Sequence, residues 1–182
     1  MKFIRLLIAS LILLSMQQAI GATFESNEFS IDVPSGFQGP ESMTLDTRGI
    51  TTAFKKPHPG GPRSAVLQMT VYDFGAQMPA ISKEHLGDGA ESYLLQFLKG
   101  VERNTISFSG AAPIRISLGG LPSARVSWTG IVGGRAMQGI MYCTVNGSKV
   151  VSFHAQDFQD APPADLKQAV NAIESVRFKH SN

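Results

Sequence analysis

Closely spaced turn signals in the second half of the chain constrain its fold most strongly. An apolar–polar alternation over 124–129 is followed by Gly133-Gly134, a second apolar run over 137–145, the pair Asn146-Gly147 and a third run over 150–155. Asn-Gly suits a type I′ hairpin turn, and Gly-Gly serves the same purpose. Connections this short join only antiparallel neighbours, so the sequence predicts an antiparallel meander of three strands.

The remaining segments predict further strands and two helices. A long helix is predicted to begin near Ser82 and to end near Gly100, because apolar residues recur at steps of three and four: Leu86, Ala90, Tyr93, Leu94, Phe97, Leu98 and Val101. A second helix is expected to start at 162–163, where proline is tolerated. Further strands are expected at 29–33, 42–46, 50–55, 64–74 and 113–118. The fold class is therefore α+β, an antiparallel β-sheet packed with one long central helix and a C-terminal helix.

The first 22 residues have the pattern of a secretory signal peptide. Lys2 and Arg5 precede an apolar run over 6–16, and Ala19 and Gly21 supply small side chains for a cut after Gly21 or one residue later. The apolar run is too short for a membrane anchor, which needs about 20 residues. We therefore expect a signal peptide over 1–22 and a single α+β domain over 23–182. That domain is expected to be periplasmic or secreted and to have no membrane anchor after cleavage.

Charge and cysteine content exclude some classes of protein. The chain has 16 Lys+Arg and 14 Asp+Glu, and two of the bases but none of the acids lie within residues 1–22. The predicted domain thus carries no net charge, which gives no indication of nucleic-acid binding. Cys143 is the only cysteine, so no intrachain disulfide can form. Its apolar neighbours predict a buried thiol; the alternative is an exposed, reactive one.

The sequence contains no catalytic or metal-binding motif. The four histidines are widely spaced, and only folding could assemble a metal site from such scattered donors; they are His58, His85, His154 and His180. No G-x-S-x-G nucleophile motif is present. Cys143 and His154 fall on neighbouring predicted strands, but a turn centred on Asn146-Gly147 places His154 opposite Gly139, too far from the thiol. We predict no catalytic residue, no metal and no cofactor.

The best candidate for partner binding is the segment from 55 to 63. It combines three basic residues and a histidine with three prolines and two glycines, the candidate residues being Lys55, Lys56, His58 and Arg63. A loop stiffened by proline loses little entropy on docking, so we expect it to bind an acidic partner surface and to contribute little to the fold. The alternative is a solvated connection between strands. Trp128 and Tyr142 are candidates for a cleft beside the long helix or for the core.

Three strand-and-turn motifs resemble the PsbP-like fold. They are Phe29-x-Ile31-x-x-Pro34-x-Gly36-Phe37, Gly119-Gly120-Leu121-Pro122-Ser123-Ala124 and Ala172-Ile173-Glu174-Ser175-Val176-Arg177-Phe178. Photosynthetic PsbP proteins, Ran-binding nuclear-import factors and bacterial DcrB-like envelope proteins share this fold. The resemblance spans roughly residues 29 to 178 and implies a non-enzymatic binding, assembly or chaperone-like role. No metal or partner site of the family maps onto these residues, and fold does not dictate function.

The function expected from the sequence is a non-catalytic periplasmic binding or assembly/accessory module of the cell envelope. Its partner would be another envelope protein or a small apolar ligand, and not a nucleic acid. Two alternatives from other classes are a hydrolase or isomerase with an unrecognised site, and a structural subunit of an envelope complex.

Overall fold

The computed structural model describes residues 21–61 and 63–179, so most of the predicted signal peptide and His180 lie outside the described residues. The strands are β1 (Thr23–Glu25), β2 (Phe29–Asp32), β3 (Gln38–Thr44), β4 (Gly49–Pro57), β5 (Ser64–Asp73), β6 (Ile106–Gly110), β7 (Ile114–Leu118), β8 (Leu121–Val132), β9 (Arg135–Asn146), β10 (Lys149–Phe158) and β11 (Arg177–Phe178). The helices are α1 (Leu86–Arg103), which follows a 3₁₀ turn at Lys83–His85, and α2 (Pro163–Glu174).

The main sheet consists of two antiparallel meanders joined edge to edge. The first meander is β3-β4-β5, and the second, which the turn signals predict, is β8-β9-β10. Strand β10 pairs with β5, which gives the order β3-β4-β5-β10-β9-β8, and β6 and β7 both pair with β8. A smaller sheet has the order β1-β2-β11. Every strand pair in both sheets is antiparallel.

The two helices cover opposite faces of the main sheet. Helix α1 packs on β8 and β9, over a core that includes Leu94, Val126 and Met141. Helix α2 and the small sheet cover the other face, over a core that includes Phe29 and Phe153. Successive residues of β10 point alternately into these two cores, as the strand period of two requires. The predicted α+β class is therefore confirmed. No helix among the described residues is both long and apolar enough to cross a membrane.

Several predicted boundaries are wrong. Helix α1 continues through Gly100 to Arg103, where the side chains of Asn104 and Thr105 donate to the carbonyl groups of Gly100 and Val101. These side chains end the helix, and the glycine does not. Strands β1 and β6 are absent from the sequence prediction because both are short, largely exposed edge strands with no clear alternation of apolar residues.

The turn between β9 and β10 also differs from its prediction. Asn146 still pairs with Lys149, so Gly147 and Ser148 form the two-residue turn. Gly147 has a φ of 60°, and a glycine with positive φ at the first central position is typical of a type II′ turn. The register therefore shifts by two residues, and Ser152 lies opposite Cys143 while His154 lies opposite Met141.

Cys143 lies in the core beneath α1, as the apolar sequence around it predicts. Its side chain is completely buried, and burial raises the pKa of its thiol. The protonated thiol is a small apolar group that packs against other core residues and has no nucleophilic character at neutral pH.

We predict that Cys143→Ser lowers the free energy of unfolding by about 1–2 kcal/mol, because a hydroxyl would replace a buried thiol in an apolar environment. Urea denaturation followed by circular dichroism measures this change. In parallel, a thiol reagent should label the native wild-type protein only as fast as the protein unfolds. Rapid labelling of the folded protein would contradict the buried position.

Candidate functional site

A cleft lies where α1 leaves part of the sheet uncovered. The helix crosses β8 and β9, and the neighbouring strands β10, β5 and β4 extend beyond its edge on the same face. The resulting cleft has a volume of about 420 Å³. Its lining residues come from both meanders, from the C-terminal half of α1 and from the segment that follows it: Leu45, Thr51, Gln68, Thr70, Phe97, Gly100, Val101, Asn104, Thr105, Trp128, Val132, Met137, Met141, Ser152, His154 and Gln156.

The floor of the cleft is polar and its walls are apolar. Thr70 lies opposite Ser152 across the β5–β10 pair, and Gln68 lies opposite His154. The hydroxyl of Thr70 is also 2.9 Å from that of Thr51 on β4. The walls are formed by side chains of α1, β8 and β9, among them Phe97, Trp128, Met137 and Met141. This arrangement offers hydrogen-bonding groups at the bottom of a largely hydrophobic groove, which is typical of small-molecule sites.

A hydrogen bond between Trp128 and His154 orders one side of the cleft. The indole Nε1 of Trp128 donates to Nε2 of His154 over 3.0 Å, although β9 lies between the two strands that carry them. Gly139 is the residue of β9 opposite Trp128, and a Cβ there would come within 2.5 Å of the indole nitrogen. The glycine therefore gives the indole ring the space to reach across β9 to the histidine.

The charge state of His154 follows from this geometry. Burial lowers the pKa of its imidazole to about 4, so the ring is neutral at pH 7. Because Nε2 accepts the hydrogen bond from Trp128, the single ring proton lies on Nδ1. Of the described residues that line the cleft, none is Asp, Glu, Lys or Arg. The cleft is therefore uncharged at neutral pH.

The structure does not support a catalytic pair of Cys143 and His154. Their strands are adjacent, and the corrected register brings them closer than the sequence predicted, with His154 two positions beyond the residue opposite Cys143. Burial raises the pKa of the thiol, however, and lowers the pKa of the imidazole. Both groups are neutral at pH 7, so the thiolate–imidazolium pair of a cysteine nucleophile does not form there.

The predicted partner-binding segment has a different structure from the one expected. Lys55 and Lys56 belong to β4, so the connection between β4 and β5 is shorter than predicted. The basic groups of Lys55, Lys56 and Arg63 each pair with an acidic group of the same chain, on Glu41, Asp165 and Asp160 respectively. The prediction that Lys56 lies in the loop is therefore wrong, whereas the part of this segment in partner binding stays a prediction.

His58 lies inside the protein, in contact with two aspartates. Its Nε2 is 2.7 Å from Oδ1 of Asp157, and its Nδ1 is 3.4 Å from Oδ2 of Asp165. The sequence prediction places His58 in a loop and does not include Asp157 among its candidate residues. One signal could have corrected this. Asp157 follows Val151, Phe153 and Ala155 at steps of two, so the strand period places it on the face of β10 opposite His154.

Of the two aromatic residues proposed for a cleft, only Trp128 lines it. Tyr142 belongs to the core on the opposite face, where its hydroxyl donates to Oε1 of Glu174 over 3.1 Å. Burial raises the pKa of Tyr142 to about 12. Tyr142 on β9 lies opposite Arg125, which is three residues from Trp128 along β8. Because side chains alternate between the two faces of a sheet, Tyr142 and Trp128 point to opposite faces.

Comparison with known proteins identifies the fold. No protein-family model matches the chain, and no curated protein sequence matches it. The structure of cyanobacterial PsbP (CyanoP) from Synechocystis sp. PCC 6803 is similar with a TM-score of 0.59 and 8% identity, over 91% of this chain and 96% of that one. The structure of LpqN, described as involved in cell envelope biogenesis of Mycobacterium tuberculosis, is similar with a TM-score of 0.54 and 18% identity. The likeness covers 87% of this chain and 85% of LpqN. The predicted PsbP-like fold is confirmed at the level of fold alone.

We predict that the stability of the protein falls as the pH falls from 6.5 towards 4, and that His154 contributes about 3 kcal/mol of this loss at pH 4. The folded pKa of about 4 lies below the ordinary value of 6.5, so in this window the unfolded chain binds a proton that the folded chain does not. Thermal or urea unfolding across the pH range measures the effect. His154→Gln keeps an acceptor for Trp128 and should show a shallower pH dependence.

The matched control for this prediction is His85→Gln, which changes an exposed histidine on the 3₁₀ turn before α1. The control variant should keep most of the wild-type pH dependence. An unchanged slope in His154→Gln would show that other groups produce the acid destabilisation.

We predict that charge reversal lowers the stability of the protein much more at Lys56 than at Arg63. Lys56→Glu should lower the free energy of unfolding by about 2 kcal/mol or more, because it places a carboxylate beside the buried carboxylate of Asp165. Arg63→Glu should cost less than about 1 kcal/mol, because Asp160 is largely exposed. Urea denaturation of the two variants tests this difference. Equal costs would contradict the structural role of Lys56.

Proposed function

We propose that this chain is a non-catalytic binding module of the cell envelope that holds a small, uncharged and largely apolar ligand in the cleft beside α1. The observation that carries the proposal is the lining of the cleft, which combines apolar walls with a floor of neutral hydrogen-bonding side chains. A ligand with a hydrocarbon body and one or two hydroxyl, carbonyl or amide groups matches this lining. An ionised group would be desolvated there without a counter-charge, which is costly.

Two further observations support a location in the envelope. The sequence pattern of residues 1–22 predicts export. LpqN, one of the proteins with a similar fold, is described as involved in cell envelope biogenesis. At 18% identity this likeness concerns fold, so the location rests mainly on the predicted signal peptide.

The chemistry of the cleft favours binding over catalysis. His154 is the titratable side chain of the lining, and it is neutral at pH 7 with one nitrogen accepting from Trp128. A general base must be able to accept a proton from the reacting group, and the accepting nitrogen of His154 is already engaged. Among the lining residues, the only base that could activate the hydroxyl of Thr51, Thr70 or Ser152 is His154, whose accepting nitrogen already bonds to Trp128. These features argue against the hydrolase or isomerase alternative.

A pair of fluorescent probes tests the proposal. N-phenyl-1-naphthylamine is apolar and uncharged, whereas 1-anilinonaphthalene-8-sulfonate has similar rings and a negative charge. We predict saturable binding of the uncharged probe, and binding of the anionic probe at least about ten-fold weaker, because the cleft supplies no cation for a buried sulfonate. Trp128 is the only tryptophan of the chain and lines the cleft, so energy transfer from its indole to the bound probe reports the position of binding.

A matched pair of glycine variants shows whether the probe occupies this cleft. Gly100 lies on α1 in the lining, with nothing within 4 Å of a Cβ built there, so Gly100→Leu projects a side chain into the cleft without a clash. Gly87→Leu makes the same change near the other end of α1, where the nearest atom is 3.8 Å away, and leaves the cleft open. Both changes favour the helix by about 1 kcal/mol. Gly100→Leu should weaken binding of the uncharged probe about ten-fold or more, and Gly87→Leu should leave it unchanged. Equal binding by the two variants would refute the cleft as the site.

A further inference from the structure

Three side-chain polar atoms in the described part of the chain are buried without a hydrogen-bond partner. One is Nδ2 of Asn146, and the other two belong to a single cluster, namely Nδ1 of His58 and Oδ2 of Asp157. Only 7% of His58 and 1% of Asp157 is exposed, so bulk water does not serve either atom. Buried polar atoms are almost always paired, and unpaired ones in a cluster of this kind call for an unseen ligand or another specific cause.

The donor atoms around His58 have the spacing of metal ligands. Suitable atoms of His58, Asp157 and Asp165 all lie within 4.8 Å of one another. The separation between Nδ1 of His58 and Oδ2 of Asp165 is 3.4 Å, and Nδ1 makes no hydrogen bond at that distance. Two ligands that each lie about 2.0–2.1 Å from a tetrahedral Zn²⁺ ion are separated by roughly 3.3–3.4 Å. The two atoms are therefore close to the positions from which they could share one ion.

The second ring nitrogen of His58, Nε2, makes the kind of hydrogen bond that is common in histidines that bind metals. Nε2 of His58 lies 2.7 Å from Oδ1 of Asp157 and donates to it in the neutral ring. That oxygen also accepts from the backbone N–H of Phe158 over 2.8 Å. A histidine that binds a metal through one nitrogen usually donates its other N–H to a carboxylate or carbonyl group, which fixes the tautomer and the ring orientation. Here it directs the lone pair of Nδ1 towards Asp165.

The charges of the cluster favour a cation. Asp157 and Asp165 carry two negative charges, and the ammonium of Lys56 balances one of them by contacting Oδ1 of Asp165 at 2.6 Å and Oε1 of Gln168 at 2.9 Å. With His58 in its neutral form, one negative charge stays uncompensated. Because Lys56 uses Oδ1, the other carboxylate oxygen of Asp165, Oδ2, is the one that faces His58.

We propose that this cluster binds one divalent transition-metal ion, with Zn²⁺ as its type. Nδ1 of His58 and Oδ2 of Asp165 are the protein ligands, Asp157 positions the imidazole ring, and water completes the coordination. One imidazole and one carboxylate suit Zn²⁺ or Co²⁺ better than Ca²⁺ or Mg²⁺, which prefer sites made of oxygen alone. The site is independent of the ligand cleft, because the two lie on opposite faces of the main sheet.

A different cause for the same geometry is a doubly protonated His58 that bridges the two aspartates without a metal. The two explanations differ in the part played by Lys56. In a metal site, its ammonium repels the ion, so Lys56→Met should tighten Zn²⁺ binding several-fold. In a purely ionic bridge, the same change alters stability and creates no affinity for Zn²⁺.

The test uses the protein without a polyhistidine tag and measures Zn²⁺ binding by isothermal titration calorimetry, with visible absorption of Co²⁺ as a second probe. We expect one ion per chain and a thermal midpoint that rises with Zn²⁺ concentration. His58→Gln should abolish both effects, and Asp157→Asn should weaken binding about 10–100-fold, as the loss of an orienting partner does in known metal sites. The matched controls are His85→Gln and Asp88→Asn, which alter an exposed His–Asp contact of 2.9 Å and should change binding less than two-fold.

One measurement needs no variant and stays decisive if His58→Gln does not fold. In nitrogen NMR spectra of the histidine rings of the wild-type protein, Zn²⁺ should shift the Nδ1 signal of one histidine while its Nε2 stays protonated. Absence of one-to-one binding up to millimolar Zn²⁺ would overturn the proposal. So would binding that survives His58→Gln, or binding that is lost in His85→Gln.

Discussion

The pairing of β5 with β10 is the interaction on which the rest of the structure depends. It joins two meanders that are each local in sequence, through a register that runs from Asp73 opposite Lys149 to Val66 opposite Gln156. Without this pair the two meanders would be separate small sheets with exposed edges, which are rarely stable alone. With it, one continuous sheet has two faces wide enough for a helix each. Because the strands are far apart in sequence, the pairing is expected to form late in folding.

The same pairing creates both candidate sites. On the α1 face, Gln68 and Thr70 of β5 lie beside Ser152 and His154 of β10 and form the floor of the cleft. On the α2 face, Asp157 at the end of β10 meets His58, which follows β4. The strand period of two assigns neighbouring residues of β10 to different sites, since Gln156 lines the cleft and Asp157 belongs to the histidine cluster. A shift of the register by one residue would exchange these two sets of side chains.

The local elements could be predicted from the sequence, and the assembly of the sites could not. Alternation and turn residues correctly predict the meander, helical spacing predicts α1, and the prolines at 162–163 predict the start of α2, because these signals act over a few residues. The structure of the segment from Lys55 to Arg63 could not be predicted in this way, because its contacts are with residues far away in the sequence. Its composition resembles a solvated loop, yet the acids that pair with Lys56, His58 and Arg63 lie about a hundred residues away, between the end of β10 and the first turn of α2. Only the long-range pairing of β5 with β10 brings these charges together.

The two candidate sites place opposite electrostatic demands on what they bind. The cleft contains no charged side chain among the described residues of its lining, and its histidine stays neutral because burial disfavours the imidazolium. An ion entering it would lose its hydration without compensation. The cluster of His58, Asp157 and Asp165 instead combines two buried carboxylates with a single ammonium when the imidazole is neutral, so a further positive charge would stabilise it. Since the sheet separates the two sites, the protein can keep a cation-binding group next to its core and still offer a neutral, largely apolar groove to a ligand.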